Sequence, residues 1–78
     1  MIYCNLIRSH KEYAIYSVGT DINNITGEVK FFNKFTQPVV VRQPISQHIP
    51  EVLLLKIVVK YKKEFEEGKF PGKLSYEI

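Results

Sequence analysis

The chain has 78 residues, enough for one small domain, 1–78, whose thin core buries about 60% of its unfolded surface. Hydrophobic residues are 45% and charged residues 24%, an ordinary globular balance that excludes collagen-like, disordered and coiled-coil classes. Eleven Lys+Arg against eight Asp+Glu give +3, and that excess is too mild to announce a nucleic-acid binder by itself.

The first two-thirds of the chain reads as strands. Ile2 to Ile7 is rich in β-formers and sets Ile2, Cys4 and Leu6 against Tyr3, Asn5 and Ile7. The polar break Ser9-His10-Lys11-Glu12 has hairpin length. Tyr13 to Val18 follows, and with so short a link it pairs antiparallel with the first strand. Residues 19–27, bracketed by Gly19 and Gly27, form the longest irregular segment. Glu28 to Phe35 then alternates, with Val29, Phe31 and Phe35 inward and Glu28, Lys30 and Lys34 outward. Val39 to Arg42, flanked by Pro38 and Pro44, suits an edge strand.

The last third changes period. From Pro50 to Glu67, Lys56, Lys60, Lys63, Glu64 and Glu67 fall on one side of a helical wheel. Leu54, Val58, Tyr61 and Phe65 line the other. Pro50 fits the first turn, Gly68 a left-handed cap, and Pro71 stops continuation. Lys62–Glu66 and Lys63–Glu67 are spaced for ion pairs of about 0.3 kcal/mol each. Lys73 to Ile78 alternates again and is a candidate final strand. The expected fold is therefore α+β: a small antiparallel sheet of three or four strands, with a possible C-terminal extra strand, packed on one long C-terminal helix in two layers. Its sheet core candidates are Ile2, Cys4, Leu6, Ile15, Val29, Phe31 and Phe35.

Reactive chemistry has little to build on. Cys4, His10 and His48 are scattered rather than paired as zinc ligands are, and they read as a semi-buried thiol and two surface histidines. A Cys–His nucleophile would need Cys4 exposed beside a base, yet it falls in an apolar alternating strand. Phosphate-binding glycine loops are absent. The expectation is a non-enzyme without cofactor or metal. One cysteine, no apolar run of bilayer length and no leader-like N-terminus suggest a cytoplasmic protein with no membrane association.

The string Thr26-Gly27-Glu28-Val29-Lys30-Phe31-Phe32-Asn33 resembles the opening strand of cold-shock domains, which presents rings for base stacking. The resemblance covers eight residues of 78. Lys34-Phe35-Thr36-Gln37-Pro38 replaces the family's K-G-F-G-F-I segment, and no V-F-V-H element follows. A long helix has no place in that five-stranded barrel. The match is read as a coincidence between amphipathic strands.

Two binding surfaces remain. Val52, Leu55 and Val59 widen the apolar arc of the helix beyond what one small sheet covers. They point to a protein-interaction module, with a homodimer as the default and a separate protein partner as the alternative. A lid from Ile22, Ile25, Phe70 or Leu74 would instead hide the stripe. The runner-up to that module is weak single-stranded nucleic-acid binding through Lys30, Phe32 and Lys34, a basic and aromatic set that Tyr16 could join.

Overall fold

A computed structural model describes residues 1–77. Five strands form one antiparallel sheet: β1 (Ile2–Ser9), β2 (Tyr13–Gly19), β3 (Gly27–Phe32), β4 (Val39–Arg42) and β5 (Lys73–Tyr76), in the order β4-β3-β2-β1-β5. Helices α1 (Glu51–Lys60) and α2 (Lys62–Glu66) lie between β4 and β5 in sequence. The first four strands are a meander, and the helical segment carries the chain from one edge of the sheet to the other. The C-terminal candidate strand thus becomes β5, paired with β1 at Ile2↔Tyr76 and Cys4↔Leu74. Ile78, its expected last member, lies outside the described residues.

The expected single long helix is two. Tyr61 stands between α1 and α2 with φ −107 and ψ 20, away from helical values. Its hydroxyl accepts a hydrogen bond from the Ser75 backbone N–H at 3.2 Å, which fixes it on the outer edge of β5. The bend at Tyr61 keeps Leu54, Ile57 and Val58 of α1 and Phe65 of α2 all buried against the sheet. At the end of α2, Gly68 has φ 76. Gly68 N–H bonds Phe65 C=O at 2.9 Å and Lys69 N–H bonds Glu64 C=O at 2.8 Å, the paired bonds of a Schellman cap.

The core lies between the helices and one sheet face. Register sets Leu6, Tyr16, Val29 and Val40 in a row across it, with Leu74, Cys4 and Val18 in the next. Tyr16 meets Phe31 edge-on at 5.6 Å, Phe31 meets Phe65 at 5.4 Å, and Phe65 meets Phe70 at 5.3 Å. These rings link sheet, helix and the loop before β5. Of the expected core residues, Ile15 is buried but away from the helix side, and Phe35 is exposed. Ile15 is on the opposite sheet face, because Ala14, Tyr16 and Val18 take the helix side of β2. Phe35 is 51% exposed, because β3 ends at Phe32 and the chain bends through residues 33–36.

Candidate nucleic-acid interface

Both helices pack on one face of the sheet, so the side chains that alternate with the core form a second, helix-free face. Its rows follow from register. Arg8, Ile15, Lys30 and Val39 form one row; Lys73, Asn5, Ser17, Glu28 and Arg42 form another. Tyr13 pairs with Phe32 beyond the first row, and Ser75 and Tyr3 lie beyond the second. A bulge between Leu6 and Arg8 returns Arg8 to this face opposite Ile15. Ile15 is only 4% exposed although no helix covers it.

The basic side chains outnumber the acidic ones here. Arg42 pairs with Glu28 at 3.0 Å, which neutralises both. Among the described residues Arg8, Lys30 and Lys73 make no ion pair. Lys30 instead places its ammonium 4.4 Å from the Tyr13 ring centroid and 5.9 Å from that of Phe32. His10 stacks on Tyr13 at 4.5 Å, held there by its backbone N–H bonding Tyr13 C=O at 2.7 Å across the β1–β2 turn. The cluster His10–Tyr13–Lys30–Phe32 thus occupies the turn end of the helix-free face.

Of the basic and aromatic set expected from sequence, Lys30 and Phe32 are brought together. Lys34 is not: it sits in the bend after β3 and is exposed. Tyr16 cannot join, because it is fully buried on the core face with its hydroxyl donating to Pro71 C=O at 2.6 Å. His10, Tyr13 and Arg8 are members that sequence reasoning missed. A hairpin link shortened to residues 10–12 sets His10 beside Tyr13, and that register was the available signal.

The other end of this face is concave. Tyr3, Asn5, Lys73 and Ser75 floor a cavity of about 450 Å³ whose wall is Ile22 and Ile25 of the β2–β3 loop. Gly19 brings that loop close, since a Cβ there would run into Asn24 C=O and Ile25 Cα.

On the helix, Val52 and Val59 are 59% and 56% exposed, while Leu55 packs partly against the core. The stripe is therefore narrower than its sequence suggests. Of the expected lids, Leu74 and Phe70 join the core side and Ile25 walls the cavity. Ile22 reaches the same cavity and stays 67% exposed. Phe35 lies near this part of the helix, its ring 5.8 Å from the Lys62 ammonium.

Cys4 is 1% exposed, and burial pushes its thiol up to about 12, so it is a protonated core residue at neutral pH. His10 and His48 are exposed on separate loops. Among the described residues, no three His, Cys, Asp or Glu side chains gather as a metal site. No described helix is long and apolar enough to cross a membrane. Compared with protein-family models, curated proteins and solved structures, the chain matches none.

Proposed function

We propose that this protein is a binding module for single-stranded nucleic acid, using the helix-free face of its sheet. The observation that carries this reading is the Lys30 ammonium poised over Tyr13 and Phe32 on a face where Arg8, Lys30 and Lys73 make no ion pair among the described residues. Single-stranded binders combine such rings with a cationic track for the backbone. In the free protein Lys30 covers the rings. An exposed cation–π contact is worth about 0.5–1 kcal/mol, whereas a stacked base contributes about 1–3 kcal/mol. A base therefore displaces the ammonium, which is then free to meet a phosphate.

Anisotropy titration of a labelled single-stranded octamer tests this. Arg8, Lys30 and Lys73 offer three phosphate contacts, and at about 0.7 each for a single strand the log–log salt slope is about −2. Tyr13→Ala and Lys30→Glu weaken binding, and Lys30→Glu also flattens the slope. Flat titrations at low salt would overturn the reading.

Self-association through the helix is the second reading, favoured by the exposure of Val52 and Val59 beside half-buried Leu55. Val59→Glu is the informative variant, because Leu55 also packs against the core. Sedimentation should then show a wild-type dimer and a Val59→Glu monomer. A wild type that stays monomeric at high concentration removes self-association.

A further inference from the structure

The cavity under the β2–β3 loop differs from the rest of the helix-free face in being walled and rigidly framed. Asn24 N–H bonds Asp21 C=O at 2.8 Å, and the Thr26 hydroxyl donates to Asn24 Oδ1 at 2.7 Å. Asn24 Nδ2 donates to Ile45 C=O at 2.7 Å, Ile45 N–H to Thr26 Oγ1 at 2.8 Å, and Thr20 N–H to Gln47 Oε1 at 2.9 Å. The wall carrying Ile22 and Ile25 is thus tied to the segment after β4 before any ligand arrives. Its floor holds an aromatic ring, an amide and an ammonium in adjacent register positions: Tyr3, then Asn5 opposite Lys73. Among the described residues the Asn5 side-chain amide makes no hydrogen bond, and the Ser17 hydroxyl donates to its backbone C=O at 3.2 Å.

We infer that this cavity is a base-reading subsite that takes one unstacked nucleobase, adenine by preference, from the strand carried on the same face. The inference rests on the proposed function and adds a position at which sequence is read. Single-stranded nucleic acids are read where bases are splayed out, stacked on an aromatic ring and hydrogen-bonded along an edge. Tyr3 supplies the ring, and Ile22 and Ile25 an apolar wall for the base to pack against. The Asn5 amide presents one donor and one acceptor side by side, which suits the N6 and N7 positions of adenine. Lys73 at the same register meets the phosphate of that nucleotide. A volume of about 450 Å³ admits a base with part of its sugar, and pockets of about 300–1,000 Å³ are usual for small ligands. The aromatic cluster at the other end lies six residues along β2, from Gly19 to Tyr13, about 20 Å away. One strand can therefore engage both, stacking non-specifically at the cluster and being read at the cavity.

The test uses the full chain and labelled octamers of each of the four bases. The expected result is about tenfold tighter binding of the adenine octamer. Asn5→Ala should erase that preference while the other three octamers bind as before, and Asn5→Asp, which loses the amide donor, should reverse it. Amide resonances of Tyr3, Asn5 and Ser75 should shift on adding adenosine monophosphate, with far-UV circular dichroism confirming that both variants fold. Equal binding of all four octamers by wild type and Asn5→Ala would overturn the subsite and leave the binding face standing. If no octamer binds but adenosine monophosphate shifts those resonances, the face fails and the strand-bound subsite falls with it, leaving a mononucleotide pocket. If neither binds, both readings are gone.

Discussion

The Tyr16 hydroxyl donates a hydrogen bond to the Pro71 carbonyl at 2.6 Å, joining β2 of the sheet to the loop before β5 across 55 residues of chain. Tyr16 is fully buried and its ring meets Phe31, so the hydroxyl is the polar tip of an otherwise apolar anchor. Tyr16→Phe keeps the ring and orphans the carbonyl. Leaving a buried acceptor unpaired costs about 1–3 kcal/mol, and this acceptor is part-buried, so a loss of about 1–2 kcal/mol is expected in urea denaturation. An unchanged midpoint would mean that water replaces the hydroxyl.

The same residue makes stability depend on alkaline pH. Burial raises the pKa of Cys4 from an ordinary 9.0 to about 12 and raises that of Tyr16 above its ordinary 10.0. In the unfolded chain both groups lose their protons near the ordinary values, whereas the folded protein retains them. Above pH 9 the native state therefore binds more protons than the unfolded state, and stability falls as pH rises. The limiting slope is about 1.4 kcal/mol per pH unit for each group, with Cys4 acting first. Denaturation midpoints should be level from pH 6 to 8 and decline beyond 9. Cys4→Ala should flatten the decline between pH 9 and 10, whatever its effect on the plateau.

Much of the architecture was legible because it rests on local chemistry. Gly68 and the charge pattern before it marked the end of the helical segment, and the prolines around Val39 to Arg42 marked an edge strand. The facing of β2 was not legible, since Ala14-Tyr16-Val18 and Tyr13-Ile15-Ser17 alternate equally well. Only long-range partners decide between them: Tyr16 finds Pro71, while Ile15 finds Arg8 and Lys30 as cross-strand neighbours. The bend at Tyr61 had no local signal either, and the contact that accompanies it is a bond to Ser75 in another element. For the site, Lys30 and Phe32 were visible as strand neighbours two apart. His10, Tyr13 and the cavity floor needed the register of β1 against β2 and β5, which no single segment encodes.

The Schellman cap predicts a penalty at Gly68. Its φ of 76 lies in the left-handed region, although the space around a new Cβ is open. Gly68→Ala therefore costs backbone strain without a clash, about 1 kcal/mol. Gly68→Asn, whose short side chain tolerates that region, should recover part of the loss. Thermal denaturation of the pair checks both, and equal midpoints for alanine and glycine would show that the cap relaxes freely.

The outer edge of β5 is closed by the helix. Tyr61 Oη accepts from Ser75 N–H at 3.2 Å, and Lys60 Nζ donates to Ser75 C=O at 2.7 Å. An edge strand with free backbone groups is a template for another chain, and covering it with side chains removes that hazard. Tyr61→Phe leaves the ring in place and frees the Ser75 amide, so its hydrogen exchange should quicken by about tenfold or more, corresponding to about 1.4 kcal/mol of lost protection. Amides of Cys4 and Val18, deeper in the sheet, should change far less than Ser75. The double variant Lys60→Ala with Tyr61→Phe exposes both groups of Ser75 and should aggregate faster on warming than either single variant. Ser75 exchange that stays at the wild-type rate in Tyr61→Phe would mean that the edge is shielded by the packing of α1 alone.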